Sequence, residues 1–411
     1  MVQVTLSEDL SVTFQPNKSD PVHRWYPYLE GFSGRFVARV LDECNVRHGI
    51  VLDPFSGCGT TPFEVFQRGL DAIGLDVNPV MQFVADVKTN TLPTIAARVQ
   101  QGSLDLVALA DHFLLMQMQP PPEMDPAEEI SPVFLNKDYF ALPVLQKIAY
   151  LKHYIRTVAE DDEPLARLLR LALAAILVDV SNMTRRADLR FRRKRQEDAP
   201  VFKRFSDVLA MMSEDIHRFP IQGLGTAHNL LTDARAMPLD TRSVDIVITS
   251  PPYLNGTNYI RNTKLELWIL DYLRCEEQMS ELHGSLLTAG INTVRASQET
   301  KNKSSFASVE EIVRSLGPVA YDRRIPLMVV GYFEDMFTVF TELWRVLKPG
   351  GKATIVVGDS AFSGIHVPTD RLLSEIGQTA GLRLDETCVV RTRRSRGGME
   401  LHESILTYTK E

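Results

Sequence analysis

Gly49-Ile50-Val51-Leu52-Asp53-Pro54-Phe55-Ser56-Gly57-Cys58-Gly59-Thr60-Thr61 decides how this chain folds. A short apolar run, Ile50 to Leu52, ends in an acid and a turn carrying two glycines. A helical pattern then opens near Thr61, with Pro62 suited to a first helical turn. A second apolar run, Ala72-Ile73-Gly74-Leu75, closes on Asp76. Strand, turn, helix and strand in this order predict a parallel α/β sheet. Gly57 and Gly59 permit close backbone approach and positive φ. The helix that follows offers free N–H groups and its positive dipole end to a ligand. Asp76 would place a carboxylate beside ribose hydroxyls, as a strand-end acid does in doubly wound sheets. The turn therefore reads as a nucleoside pocket; the alternative is a tight structural βα turn. It has GxG but not GxGxxG, and no GK[ST], so a dinucleotide or a nucleotide polyphosphate fits less well.

Strand signals fade after this unit and return at Asn229-Leu230-Leu231 and, strongly, at Val244-Asp245-Ile246-Val247-Ile248. From about Thr91 to Ala227 long helical patterns dominate, broken at Pro120-Pro121-Pro122. The expected organisation is an α/β domain in two parts, residues 1–97 and 228–411, around a mostly helical insertion, 98–227. Residues 274–330 are polar and weakly periodic and read as a flexible excursion. An amphipathic helix, Tyr332 to Leu347, then leads through Lys348-Pro349-Gly350-Gly351 into a strand, Ala353 to Val357. Thr387 to Thr392 and Glu403 to Thr409 are two further strand candidates. There is no internal repeat and no low-complexity tract.

Composition narrows the function. The chain has 411 residues, 44% hydrophobic and 24% charged, ordinary values for a folded protein of two or three domains. The opening Met1 to Phe14 lacks the basic and apolar regions of a signal peptide. The most apolar helical stretch, Leu165 to Val180, is interrupted by Arg167 and Arg170 and is too short to span a bilayer, so no membrane partner is expected. Cys44, Cys58, Cys275 and Cys388 are scattered, with no CxxC and no Cys/His cluster, which argues against a metal site and a disulfide scaffold and for a cytoplasmic location. A net charge of −7 does not exclude nucleic acid, because the basic residues are segregated. One run spans Thr184 to Arg195, and a second cluster gathers Arg391, Arg393, Arg394 and Arg396.

At Asp53 to Thr61 the sequence resembles motif I of the amino-directed DNA methyltransferases, and Thr249-Ser250-Pro251-Pro252-Tyr253 resembles their catalytic motif IV. The SPPY form is the one common among N4-cytosine enzymes. Val22 to Ser33 is similar to the segment before motif I, Gly74 to Pro79 to motif II, and Leu231 to Ala234 to motif III. The likeness covers roughly residues 20–90, 228–272 and 332–408. It implies a Rossmann-like class I S-adenosylmethionine-dependent methyltransferase fold, α/β with a mainly parallel seven-stranded sheet closed by an antiparallel hairpin. It implies S-adenosylmethionine as cofactor, lined by Phe32, Ser33, Asp53, Pro54, Phe55, Gly57, Gly59 and Thr60, with Asp76 on the ribose and Asp233 on the adenine amine. Double-stranded DNA is the expected partner, and a cognate restriction endonuclease would fit the same family. N6-adenine methylation, RNA base-amine methylation and an inactive DNA-binding homologue are the alternatives.

The residues suit amine chemistry. An exocyclic amine is a poor nucleophile because its lone pair is delocalised into the base. Acceptors facing its N–H groups stabilise the charge that develops during transfer. Ser250 supplies a side-chain acceptor and Pro251 a carbonyl, Pro252 adds rigidity, and Tyr253 can stack on a base drawn out of the duplex. C5-cytosine chemistry needs a thiolate, in that family after a proline, and no cysteine here follows one. Arg185, Arg186, Arg190, Arg192, Arg193, Lys194 and Arg195, with Arg393 and Arg394, are candidates for neutralising phosphates. Asn258, with Asn255, Thr257 and Tyr259, is a candidate contact to the base or its partner strand, or a polar loop residue. Arg261, Lys264 and Glu266 read as helix surface, and Trp25 and Tyr26 as either a cofactor border or an apolar cover.

Overall fold

The computed structural model describes residues 12–28, 30–185, 189–254, 259–294, 304–395 and 397–411. Its strands are β1 (Ile50–Asp53), β2 (Asp71–Asp76), a hairpin β3 (Met183–Arg185) and β4 (Leu189–Phe191), β5 (Ala227–Leu231), β6 (Val244–Thr249) and β7 (Leu347–Gly358). Two short strands, β8 (Ser360–Phe362) and β9 (Ile365–Val367), and two long ones, β10 (Leu382–Arg394) and β11 (Glu400–Lys410), complete the chain. Seven of them form one sheet in the order β10-β11-β7-β6-β1-β2-β5. Only β11 runs against its neighbours; the other pairings described are parallel. This order and polarity are those of the Rossmann-like class I methyltransferase sheet, with the expected closing hairpin.

The sheet is covered on both faces because its inner strands are apolar on both. Val51, Ile246, Ile248 and Val356 enter one core, while Leu52, Val247, Ile355 and Val357 enter the other. The second core is closed by helices Ala307–Leu316, Arg324–Val346 and Thr369–Thr379. The first includes helices between β2 and β5, among them Leu142–Asp161, Glu163–Val180 and Val201–Arg218. Glu163–Val180 is buried along most of its length, as its apolar sequence requires. The insertion thus packs its helices into the same core as one face of the sheet, and adds the β3–β4 hairpin to them.

The stretch 274–330 corrects one expectation. It holds helices Glu276–Ser285 and Ala307–Leu316 and the start of Arg324–Val346. The first helix buries no residue and writes no apolar period, whereas the second carries Val309, Ile312, Val313 and Leu316 at helical spacing, a signal the reading of this stretch as an excursion missed. The long helix begins at Arg324, ahead of the expected Tyr332, because its first turns are apolar almost all round and lack an amphipathic signal.

Candidate active site

β1 and β6 lie side by side, with Val51 opposite Ile246 and Leu52 opposite Val247. Their carboxyl ends therefore emerge together at the point where the strand order reverses, where open α/β sheets form a crevice. Asp53 ends β1 and Thr249 ends β6, and the Thr249 hydroxyl donates to Asp53 Oδ1 at 2.6 Å. Two segments almost two hundred residues apart in sequence are joined there by one buried hydrogen bond.

The turn after β1 is fixed by its own backbone. Gly57 has φ +51°, and a Cβ there would lie 2.9 Å from the Tyr28 ring. Its N–H donates to Asp76 Oδ2 at 3.0 Å, while Asp76 Oδ1 accepts from Asn78 N at 2.8 Å. Gly59 has φ +82°, and a Cβ would meet the Ala85 Cβ at 2.6 Å, so the packing of helix Pro79–Asp86 demands this glycine. Asp53 is buried and Asp76 half-buried, and desolvation pushes both pKa values up to about 6, despite their hydrogen bonds.

These groups face a cavity of about 1050 Å³, mouth included. Phe32, Asp53, Pro54, Phe55, Gly57, Thr60, Asp76, Asp233, Ser250 and Pro252 line it. The Ser250 hydroxyl makes no hydrogen bond among the described residues. Asp233 has its carboxylate engaged by Arg235, which also reaches Asp335 at 3.0 Å. Tyr253 donates from its hydroxyl to Glu403 at 2.9 Å, and its ring packs where a Cβ on Gly358 would come within 3.0 Å. Ser33, Gly59, Pro251 and Tyr253 are not among the lining residues. Ser33 instead caps helix Gly34–Glu43 by accepting from Phe36 N.

The basic run requires corrections. It forms the β3–β4 hairpin and the turn after it, and Arg186 lies outside the described residues, as do Asn255, Thr257 and Asn258. Arg185 points inward: it lines the cavity, ion-pairs with Glu266 and donates to the carbonyls of Asn262 and Pro27. Its side chain is 9% exposed and that of Glu266 1%, so neither is surface and Arg185 is not placed to take a phosphate. Glu266 also accepts from Tyr26 at 3.0 Å, and the Trp25 indole donates to Asp215 at 2.9 Å, which makes both aromatics part of the buried cover. Arg192 is held by the carbonyls of Met183, Val178 and Asp179, and Arg195 pairs with Asp138. Arg190, Arg193 and Lys194 are exposed. Arg393 donates to the Asp359 carbonyl at 2.8 Å, which brings the tip of the β10–β11 hairpin to the Tyr253 side of the cleft; Arg394 is exposed beside it.

Sequence reasoning missed Tyr28, Glu30, Asn262, Thr263 and the segment Ser285 to Leu287, all of which line the cavity. One signal was available: Asn262, Thr263 and Glu266 are polar residues that precede or interrupt the apolar run to Leu270, a pattern of buried polar groups.

No family model matches the chain. It is 24% identical to the type II methyltransferase M.BsoBI of Geobacillus stearothermophilus, over 95% of this chain and 84% of that one. It is 25% identical to M.AvaI of Nostoc over 97% and 87% of the two chains, and 22% identical to M.MvaI of Kocuria varians over 79% and 73%. The relatives are type II methyltransferases. A solved SAM-dependent methyltransferase from Methanosarcina mazei overlaps 90% of this chain and 96% of its own at 9% identity, with a TM-score of 0.32. The residues of the cavity fit S-adenosylmethionine: the Asp53 and Asp76 carboxylates suit its ammonium, sulfonium and ribose hydroxyls, and Phe32, Phe55 and Met81 offer apolar surface to its adenine. Among the described residues no helix is long and apolar enough to cross a membrane.

Proposed function

We propose that the protein methylates the exocyclic N4 amino group of cytosine in double-stranded DNA. One observation carries this reading: the SPPY segment and the glycine turn open on one cavity, and Ser250 meets that cavity with an uncommitted hydroxyl. The likeness to type II methyltransferases over nearly the whole chain supports DNA as substrate. The serine in place of an aspartate supports cytosine over adenine, following the family resemblance.

S-adenosylmethionine, when bound, supplies an electrophilic methyl group on a positively charged sulfur. In this reading Asp53, Asp76 and Phe32 hold it, and the Thr249–Asp53 bond keeps Ser250 in register with that pocket. The Ser250 hydroxyl and the Pro251 carbonyl accept from the two N–H groups of the base amine, favouring a nitrogen with an available lone pair. Two prolines in succession fix φ and leave no competing backbone donors. Tyr253, anchored through Glu403, offers its ring to the extruded base. With the cofactor bound there, the nitrogen lone pair would form the new N–CH3 bond as the S–CH3 bond breaks to leave a neutral thioether, and the amine proton would pass to solvent past the Ser250 hydroxyl.

The test is direct. Purified protein is incubated with unmethylated duplex DNA and labelled cofactor, and the DNA is digested to nucleosides for mass spectrometry. Labelled N4-methyldeoxycytidine is the expected product. N6-methyldeoxyadenosine would move the target to adenine, and transfer to tRNA but not to duplex DNA would overturn the reading.

A further inference from the structure

A second, open cavity of about 510 Å³ lies beside the first and belongs to neither SPPY nor the glycine turn. Its walls come from the β3–β4 hairpin, from the helices after SPPY and from helix Glu276–Ser285. Arg190, Arg261 and Lys264 bring three cations to it, and no acidic side chain is among its described lining residues. Its aromatic part is Tyr139 with Phe191, stacked at 5.9 Å between centroids and 27° between planes. Phe191 is 55% exposed, so its ring is open to a ligand on the side away from Tyr139. Lys264 is already oriented: its ammonium donates to the Tyr139 hydroxyl at 3.0 Å and lies 4.0 Å from the Phe134 ring centre. Burial and the nearby Lys264 lower the pKa of His283, so the positive charge of the site belongs to the other three side chains.

The two cavities share their walls. Asn262 and Thr263 line the first, and Arg261 and Lys264, on either side of them in sequence, line the second. Arg185 lines the first, while its partner across the hairpin, Leu189, lines the second. Ser285 ends the helix at the first, and His283 at the second. A polyanion with one residue drawn into the first cavity has the second within reach of the neighbouring residue.

We propose that this second cavity binds a nucleotide next to the target base in the same DNA strand. Arg190, Arg261 and Lys264 neutralise its phosphates, and Phe191 stacks on its base. The site rests on the DNA substrate proposed above. Cations converging with an exposed aromatic are the combination that grips a nucleic-acid strand, the charge following the backbone and the ring taking a base face. The hairpin thereby reads the strand through Arg190 and Phe191, while the other described arginines of the run are tied into the fold or lie beyond the cavity.

The experiment uses the full-length protein and fluorescently labelled, unmethylated duplex DNA of random sequence, with anisotropy measured over a salt series. Arg190→Ala should flatten the slope of log K against log salt by about 0.9, the loss of one phosphate contact. Phe191→Ala should weaken binding roughly ten-fold and leave that slope unchanged, as removal of a stacking surface does. Both residues are exposed, and unchanged cofactor affinity in each variant would show an intact first cavity. Wild-type protein that methylates duplex DNA while either variant keeps wild-type affinity and slope overturns this site alone. Wild-type protein that binds no duplex DNA at any salt overturns the proposed function, and this site with it.

Discussion

Cofactor affinity should rise with pH through about 6. Asp53 and Asp76 end adjacent strands, and burial pushes the pKa of each from the ordinary 3.8 up to about 6. In the empty protein each carboxyl therefore binds its proton more tightly folded than unfolded. That contribution to stability, roughly 3 kcal/mol per group, is fully present below about pH 4 and is lost as pH rises through about 6. A ligand carrying an ammonium and a sulfonium selects the ionised carboxylates and restores what ionisation cost. With a pKa of about 6, only about one-tenth of a carboxyl is ionised at about pH 5, against about nine-tenths at about pH 7. Kd for S-adenosylmethionine should then weaken about ten-fold over that interval if one carboxylate must be charged, and up to about a hundred-fold if both must be. Titration calorimetry in two buffers of different ionisation enthalpy measures the affinity and the proton released together. Asp76→Asn should flatten the profile as well as weaken binding. A Kd constant across the interval, or one that tightens in acid, would refute the assignment of these carboxylates to the cofactor.

Three further outcomes follow from the site. Ser250→Ala should reduce single-turnover methyl transfer about a hundred-fold or more while cofactor affinity stays within about three-fold; full activity in that variant would remove Ser250 from the chemistry. Glu266→Ala leaves the Arg185 guanidinium buried without its counter-ion and should cost about 3–5 kcal/mol in chemical denaturation; an unshifted midpoint would show that the pair is solvated. Gly59→Ala forces a Cβ into Ala85 at a left-handed φ and should lower stability by about 2 kcal/mol or more, read as a fall in Tm, whereas a neutral result would mean that helix Pro79–Asp86 can shift.

The sheet was legible because its strands are short apolar runs that stop at acids or turn residues: Ile50 to Asp53, Ala72 to Asp76 and Val244 to Thr249 carry that signal without help from the rest of the chain. The two motifs could be named for the same reason, since each is a local peptide. What the sequence concealed is what depends on partners. Arg185 looks like any arginine in a basic run, and only the approach of Glu266 and Tyr26 turns it inward. Burial opposes the Arg185 charge, and Glu266 and Tyr26 beside it more than offset that and raise its pKa. Gly59 reads as a cofactor glycine, yet the neighbour that requires it is Ala85 of helix Pro79–Asp86. Helix Glu276–Ser285 buries nothing, so it has no periodicity to find.

The buried ion pair also explains how an insertion of this size can serve the site. β2 and β5 are neighbours in the sheet, so the chain can leave after one and return at the other without disturbing the β1–β6 pair that holds Asp53 to Thr249. The inserted helices cover a sheet face, which gives the hairpin a rigid base. From that base Arg185 ties the hairpin to two other segments, bonding Glu266 and the Asn262 carbonyl after SPPY and the Pro27 carbonyl before the glycine turn. Asn262 in turn donates to Glu30, a cavity residue. A shift of the hairpin would have to break a desolvated ion pair or carry the cavity wall with it, and the second costs less. Arg185 therefore couples strand β3 to the wall of the cavity, so that neither shifts without the other.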